Sequence, residues 1–301
     1  MEKQIVFRAS SIGNLMVDGK GAAITETQLD RIDELVYEME NGLNKNGNKV
    51  KWTDNKADEL RKLIEKRDSP PELSDTAKSE VKKIWRLINK GFYKELDNKF
   101  IMKGLYSEED AIELISEVEQ QFFLKNEERI TIGNITGECD LRHTYNSFEE
   151  LPQWRKDSDD GNTKFPLKVI KDAKCSYDLE TFMNAVFSKI YESQGDCYLY
   201  LYDADEFHLQ YALVDTPEHL YNNEVWKVKN RYGIIDDETP ESKPLFDQIK
   251  RNFIYSDNPL YTKEERLKSY WKRRNKDDEE KMLERIPLAV EFYHTITTNQ
   301  I

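Results

Sequence analysis

Asp172 and Lys174 lie two residues apart inside the apolar run "VIKDAKC". Side chains two apart on a strand share one face. A charged pair on an inward face costs free energy unless a partner or a ligand uses it. Two readings are open: a partnered ion pair on an edge strand, or a metal site. Two further carboxylates bear on the choice, Asp140 at the end of "GNITGECD" and Glu108 at the helix start in "MKGLYSEED". Hard divalent cations take oxygen ligands, and Mg²⁺ takes one or two carboxylates together with waters and substrate phosphates. Asp140 and Asp172 on neighbouring strands supply such a pair. The Ala173 carbonyl is a backbone ligand between Asp172 and Lys174, and Glu108 is a further metal residue, supporting the ion directly or through water. Lys174, on the face of Asp172, orients the attacking water and favours its ionised form. Phosphodiester hydrolysis needs this equipment: a nucleophile made at neutral pH and a cation for the charge on the phosphate.

Three zones position these groups. Residues from about 8 to 97 read as helices with polar loops. The first helix starts near Ser10 or Ser11 as N-cap, a second covers about Thr27 to Met39, and a third follows Ser74 or Asp75. "NGLNKNGNKVKWTDN" reads as a turn-rich loop or small hairpin. The middle zone, about 101–216, mixes helix and strand. It holds the amphipathic "SEEDAIELISEVEQQFF", one long or two short strands in "RITIGNITGECDLRH", and the strand "PLKVIKDAKC". Helices over about 178–190 and 193–202 and the strand "EFHLQYALV" complete it. "NSFEELPQWRKDSDDGNTKF" reads as a loop or a hairpin with a mobile tip. The zone from Pro217 onward is mostly helical and heavily charged. The order helix–β–β–α–α–β predicts an α/β core with a small mixed central sheet flanked by helices, with N- and C-terminal helical additions. The expected organisation is one elaborated domain over residues 1–301.

The chain of 301 residues is 38% hydrophobic and 34% charged, the composition of a soluble globular protein. No apolar run approaches the roughly 18–20 residues that span a bilayer, and the N-terminal stretch lacks signal-peptide organisation. No membrane association and a reducing cytoplasm, that of a host cell for a phage-encoded protein, are the expectation. The three cysteines Cys139, Cys175 and Cys197 give neither a disulfide framework nor paired zinc spacing. The four histidines show no ligand spacing. A net charge of −13 argues against a passive, non-specific DNA coat. It leaves room for an enzyme that meets DNA through one groove and a metal ion.

"GECD", a long connection and then "DAK" on the next strand resemble the core signature of the PD-(D/E)XK nucleases. Asp140 matches the first acidic position, and Asp172 with Lys174 the (D/E)-x-K half. Further stretches are similar to the viral-recombinase branch, which includes lambda exonuclease and YqaJ-like phage proteins. "KGLYSEE" resembles its G-x-x-x-E helix and gives Glu108 the acidic role. "CSYDLETF" looks like the turn after its catalytic strand. "QGDCYLYLY" matches the Q-x-x-x-Y helix shared with RecB-type nucleases, through Gln194 and Tyr198. "FRASSIGNLM" resembles the R-x-T-A-S opening and points to Arg8, Ser10 and Ser11 at a terminal phosphate. The resemblance spans roughly Arg8 to Val214.

It implies a restriction-endonuclease-like fold and a Mg²⁺- or Mn²⁺-dependent exonuclease of double-stranded DNA, yielding 5′-phosphorylated products in phage recombination or DNA processing. An endonuclease, a single-strand nuclease and a catalytically idle DNA-binding or assembly protein are the alternatives. A single-strand annealing recombinase is the implied partner, with a homo-oligomer as the implied assembly. No iron–sulphur cluster is expected on three cysteines, which read as small buried side chains.

Gln194 and Tyr198 also fit a buried polar pair one helical turn apart, and Ser10 and Ser11 fit simple caps. Between Lys263 and Lys276 there are seven basic residues and two acidic ones. That stretch reads as a solvated helix face or a DNA-backbone contact, with Trp271 available to stack. Trp154 and Arg155, in the long loop, are placed to wedge at a duplex end.

Overall fold

A computed structural model describes residues 5–18, 24–68, 72–94 and 98–299. The chain divides into two compact units, residues 1–13 with 91–283 and residues 14–90 with 284–301. It opens with β1 (Phe7–Arg8) and α1 (Ala9–Leu15). Ser10 and Ser11 are therefore helical residues and not the expected N-cap; the Ser11 hydroxyl donates back to the Arg8 carbonyl at 3.2 Å. Pairing of β1 with a neighbouring strand holds the backbone extended through Arg8, so the helix begins directly after it.

The helices α2 (Glu26–Asn41), α3 (Asp54–Asp68) and α4 (Asp75–Lys90) follow. Thr25 and Gln28 form a capping box on α2, and Gly42 ends it in the left-handed region at φ 64°. The expected small hairpin is present as an antiparallel bridge between Leu43 and Lys49. Ser74 caps α4 by accepting the Ala77 N–H at 3.2 Å. Helix α3 is an addition to the sequence reading. Leu60 is its one buried residue among those described, so its apolar stripe is thin. That leucine meets Ile32 and Leu35 of α2, with Trp52 packed alongside.

The remaining elements are α5 (Lys99–Tyr106), α6 (Glu108–Glu119), β2 (Ile130–Ile132), β3 (Ile135–Gly137), β4 (Leu141–Tyr145), α7 (Gln153–Asp157), β5 (Leu167–Cys175), α8 (Leu179–Met183), α9 (Lys189–Tyr202), β6 (Glu206–Ala212), α10 (Glu218–Tyr232), α11 (Lys243–Phe253), β7 (Leu267–Arg273) and α12 (Lys276–Asn299). The strands form two mixed sheets, β1-β3-β2 and β4-β5-β6-β7. This is the α/β class with a small mixed sheet that the sequence predicts. In the larger sheet β5 and β6 run parallel, while β4 and β7 are antiparallel to their neighbours. A parallel pair needs a crossover, and α8 with α9 supplies it.

Alternation then sorts the side chains. Asp172 is in register with Leu209, and Lys171 with His208. Asp172, Lys174, Phe207 and Tyr211 thus share the face that α9 covers. The other face carries Lys171, His208 and Gln210, and α6 packs there through Ala111, Leu114, Ile112 and Ile115. Burying these apolar residues contributes roughly 1.5–3 kcal/mol for each large side chain.

Two expectations fail in this unit. The stretch after β4 is a loop only in part, because it holds the short helix α7, which folds onto the sheet. Arg155 is fully buried, with Nε 3.0 Å and Nη2 2.7 Å from the two oxygens of the buried Glu206. Trp154 donates its indole N–H to Glu119 at 3.1 Å and packs edge-on against His208. Neither is free to wedge a duplex. The basic stretch Lys263–Lys276 contains β7, a strand and not a helix face. Trp271 is stacked under the Arg155 guanidinium at 3.7 Å and donates to Ser158. Lys272 pairs with Asp196 at 2.6 Å, Arg273 with Asp160 at 3.0 Å and Arg274 with Asp203 at 2.6 Å. These three cations each have an acidic partner within the protein.

Candidate active site

β4 begins opposite Lys171, because Leu141 is in register with that residue. Ala173, two residues on, turns its amide and carbonyl to the same edge without a β4 partner. Asp140, immediately before β4, fills part of that edge, and its Oδ2 accepts the Ala173 N–H at 2.7 Å. Asp172 is buried at 1% exposure. Its Oδ2 faces the Lys174 ammonium as a close ion pair. That oxygen is enclosed, with the Lys174 ammonium as its partner. The other oxygen, Oδ1, accepts from Gln194 Nε2 at 3.2 Å.

Helix α9 presents Gln194 through a directional relay. The Tyr198 hydroxyl donates to the Glu138 carbonyl at 3.0 Å, so its lone pair is free to accept from Gln194 Nε2 at 3.2 Å. That chain fixes the orientation of the amide, and with it which oxygen of Asp172 is occupied. Gly195 makes the approach possible, since a Cβ there would lie 2.3 Å from the Phe207 ring. Tyr191, one turn earlier, places its ring 5.6 Å from the Lys174 ammonium.

The electrostatics follow from crowding. Burial and the neighbouring charge of Asp172 push the Asp140 carboxyl up to about 7, against the pull of Lys174 and the Ala173 amide. Burial works against the Lys174 ammonium, but Asp172 and Asp140 outweigh it and hold its pKa above the ordinary lysine value. A buried carboxylate pair, with Asp140 pushed up by burial and by its like-charged neighbour, suits a small hard cation. Among the described residues no three His, Cys, Asp or Glu side chains group around one point. The donor set that fits is therefore Asp140 and Asp172 with the Ala173 carbonyl on the same edge, the remaining ligands being water or phosphate.

Glu108, at the first turn of α6, lies near enough for its charge to act on Asp140. Its own Oε1 is 3.0 Å from the Lys125 ammonium. Arg8 and Ser10 are exposed at the start of α1. Arg8 is in register with Thr136 of β3, the strand that leads into Asp140. Ala9 and Tyr198 both close on Gly137, where an added Cβ would come within 3.0 Å of each.

Several participants carry no motif. Lys125 follows α6 in a polar stretch without periodicity, and only its pairing with Leu141 brings it to the site. Lys103 is buried and donates to the Tyr177 and Val214 carbonyls at 3.0 and 2.8 Å, tying the turn after β5 to the chain after β6. Burial lowers its pKa to about 8. On the far face of β5, Lys171 forms a fully buried ion pair with Glu119. Gln210 adds a 2.7 Å bond to that glutamate.

The architecture is a mixed α/β fold, and a solved structure shares that fold. No family model matches the sequence, and no curated protein does. The structure is similar to a phage-related exonuclease from Haemophilus somnus 129PT, with a TM-score of 0.58 at 20% identity, over 99% of this chain and 98% of that one. An alkaline exonuclease from Laribacter hongkongensis aligns over 98% of this chain and 92% of its own, at 9% identity and a TM-score of 0.43. The first of these establishes a shared fold over nearly the whole of both chains, and it is the fold that the sequence resemblance implies. Among the described residues, no helix is long and apolar enough to cross a membrane.

Proposed function

We propose that this chain is a divalent-metal-dependent exonuclease that hydrolyses phosphodiester bonds of double-stranded DNA to 5′-phosphorylated products, in phage recombination or DNA processing. The observation that carries the reading is the convergence of Asp140, Asp172 and Lys174 at the end of β4 and β5, with Gln194 holding Asp172 from α9. The fold shared with a phage-related exonuclease supports action at ends over internal cutting.

In this reading Asp140, Asp172 and the Ala173 carbonyl hold Mg²⁺ or Mn²⁺. The ion supplies Lewis-acid stabilisation of the phosphate and a water that ionises near neutral pH. Lys174 directs its ammonium at the attacking water, which displaces the 3′ oxygen in line and leaves the phosphate on the 5′ side of the product. Gln194 occupies Asp172 Oδ1 and keeps Oδ2 turned toward Lys174. Tyr198 orients that amide. Glu108 acts at the rim, and Arg8, Ser10 and Ser11 contact the terminal phosphate. The strand left behind is the substrate of a single-strand annealing partner, and a homo-oligomeric assembly accompanies the reading.

The test is digestion of 5′-end-labelled linear duplex and of covalently closed circular duplex, with Mg²⁺, Mn²⁺ or EDTA, by wild type and Lys174→Ala. The expected result is metal-dependent loss of the linear form alone, slowed at least about 100-fold in the variant, the scale of a lost acid–base or positioning group. A variant that cuts as fast as wild type refutes the assignment of Lys174 and the site with it.

A further inference from the structure

Lys125 stands outside every motif that supports this function, yet its backbone is fastened to the site. It forms an antiparallel bridge with Leu141. The next residue, Asn126, donates its N–H to the Asp140 carbonyl at 2.7 Å and its side-chain amide to the Cys139 carbonyl at 3.0 Å. The segment therefore moves with the backbone of Asp140 itself. From this mount the ammonium reaches Glu108 Oε1 at 3.0 Å, and its charge acts on Asp140 as well.

A purely structural role explains little of this. The Lys125 side chain is 45% exposed, and an exposed ion pair contributes only about 0–1 kcal/mol. That exposure leaves the ammonium open to an incoming anion. Lys174 is committed to the other end of the carboxylate pair, against Asp172. A phosphodiester entering between them would meet a second cation on the Glu108 side, where Lys125 is mounted.

We infer that Lys125 is a substrate-contacting residue, whose ammonium binds a non-bridging oxygen of the substrate-strand phosphate beside the carboxylates, with Glu108 as its positioning partner and not as a metal ligand. This assignment rests on the nuclease reading above. It divides the work between two lysines, Lys174 serving the nucleophile and Lys125 the phosphate.

The experiment compares wild type, Lys125→Ala, Lys125→Arg and Lys174→Ala. Linear-duplex binding is measured against salt concentration in EDTA, and kcat, KM and the Mg²⁺ half-saturation are measured by digestion. Losing one phosphate contact lowers the slope of log K against log salt by about 0.9. Lys125→Ala is expected to show that drop and a raised KM with an unchanged Mg²⁺ half-saturation. Lys125→Arg, which keeps the charge, retains the slope and separates lost contact from lost folding. A wild-type slope and KM in Lys125→Ala, beside an inactive Lys174→Ala, overturns the inference and leaves the nuclease reading standing. A shifted Mg²⁺ half-saturation with an unchanged slope also overturns it, by making Glu108 a metal ligand. If Lys174→Ala cuts normally, the nuclease reading itself falls.

Discussion

Replacing Gly195 with alanine tests how the site is held without touching a charged group. The new Cβ would sit 2.3 Å from Phe207 Cδ1 and 2.8 Å from Cε1 and Cγ, where ordinary contact starts at 3.4 Å. The Phe207 ring cannot swing aside. It is fully buried, with the rings of Phe187 and Tyr198 at 6.1 and 6.2 Å. Helix α9 must therefore withdraw from β6 by about 1 Å, the overpacked situation that costs roughly 1–3 kcal/mol. For a chain of this size that lowers Tm by roughly 2–5 °C. Gln194 is the adjacent residue, and its amide is already 3.2 Å from Asp172. A shift of about 1 Å takes that bond beyond useful range, and misplacement on this scale costs up to about 100-fold in rate. Gly104 in α5 is the control, because a Cβ there meets nothing within 4 Å. Gly104→Ala should be neutral or stabilise by about 0.5–1 kcal/mol. Thermal melts by circular dichroism and linear-duplex digestion read both variants. A Gly195→Ala protein that melts within about 1 °C of wild type and keeps its rate would refute the tight seating of α9.

Two further outcomes concern the buried polar face. Arg155→Ala strands Glu206 without its bidentate partner and should cost about 3–5 kcal/mol in denaturant titration; the double variant Arg155→Met, Glu206→Leu should be milder than either single loss. Acid should destabilise the protein from near neutrality downward. Burial, aided by the charge of Lys171, lowers His208 to about 4, and the bonds from His208 and Arg155 overcome burial to lower Glu206 to about 2. Between the ordinary histidine value and about 4, the unfolded chain takes up a proton at His208 that the folded chain refuses. Stability thus falls with pH across that window, by an amount on the order of 3 kcal/mol. Glu206 continues the loss as pH falls from the ordinary carboxylate range toward 2. Glu119, Lys171, Glu206 and Trp154 surround His208, so His208→Gln should flatten the upper part of the slope in urea melts from pH 7 to 4. An equal slope in the variant would assign the acid sensitivity elsewhere.

The grouping of side chains at the candidate site is legible in the sequence because its signals are local. Asp172 and Lys174 share a face by the two-residue pleat of β5, and Gln194 and Tyr198 share one by the helical turn. The cap of α4 is legible to within one residue, Ser74 or Asp75, from side-chain oxygens ahead of an apolar run, and Ser74 takes it. The α1 start was misread on the same signal, because a strand pairing 128 positions along the chain, Phe7 with Ile135, decided it. Helix α3 was missed for want of a broad apolar stripe. β7 was hidden by Lys268, Lys272 and Arg273, which put charge on both faces of the strand and masked its alternation.

What the sequence by itself determined was the α/β order and which side chains share a face on β5 and on α9, since residue type and period act over a few neighbours. Only the tertiary structure decided that Lys125 belongs beside Glu108, and that Arg155 and Trp154 support the sheet instead of facing DNA. Arg155 finds Glu206 across 51 residues, and Lys171 finds Glu119 across 52. A charged side chain carries no local mark of whether its partner is water, a ligand or a buried opposite charge. That is settled where desolvation must be matched by a specific partner, and the partner is chosen by how the strands and helices pack.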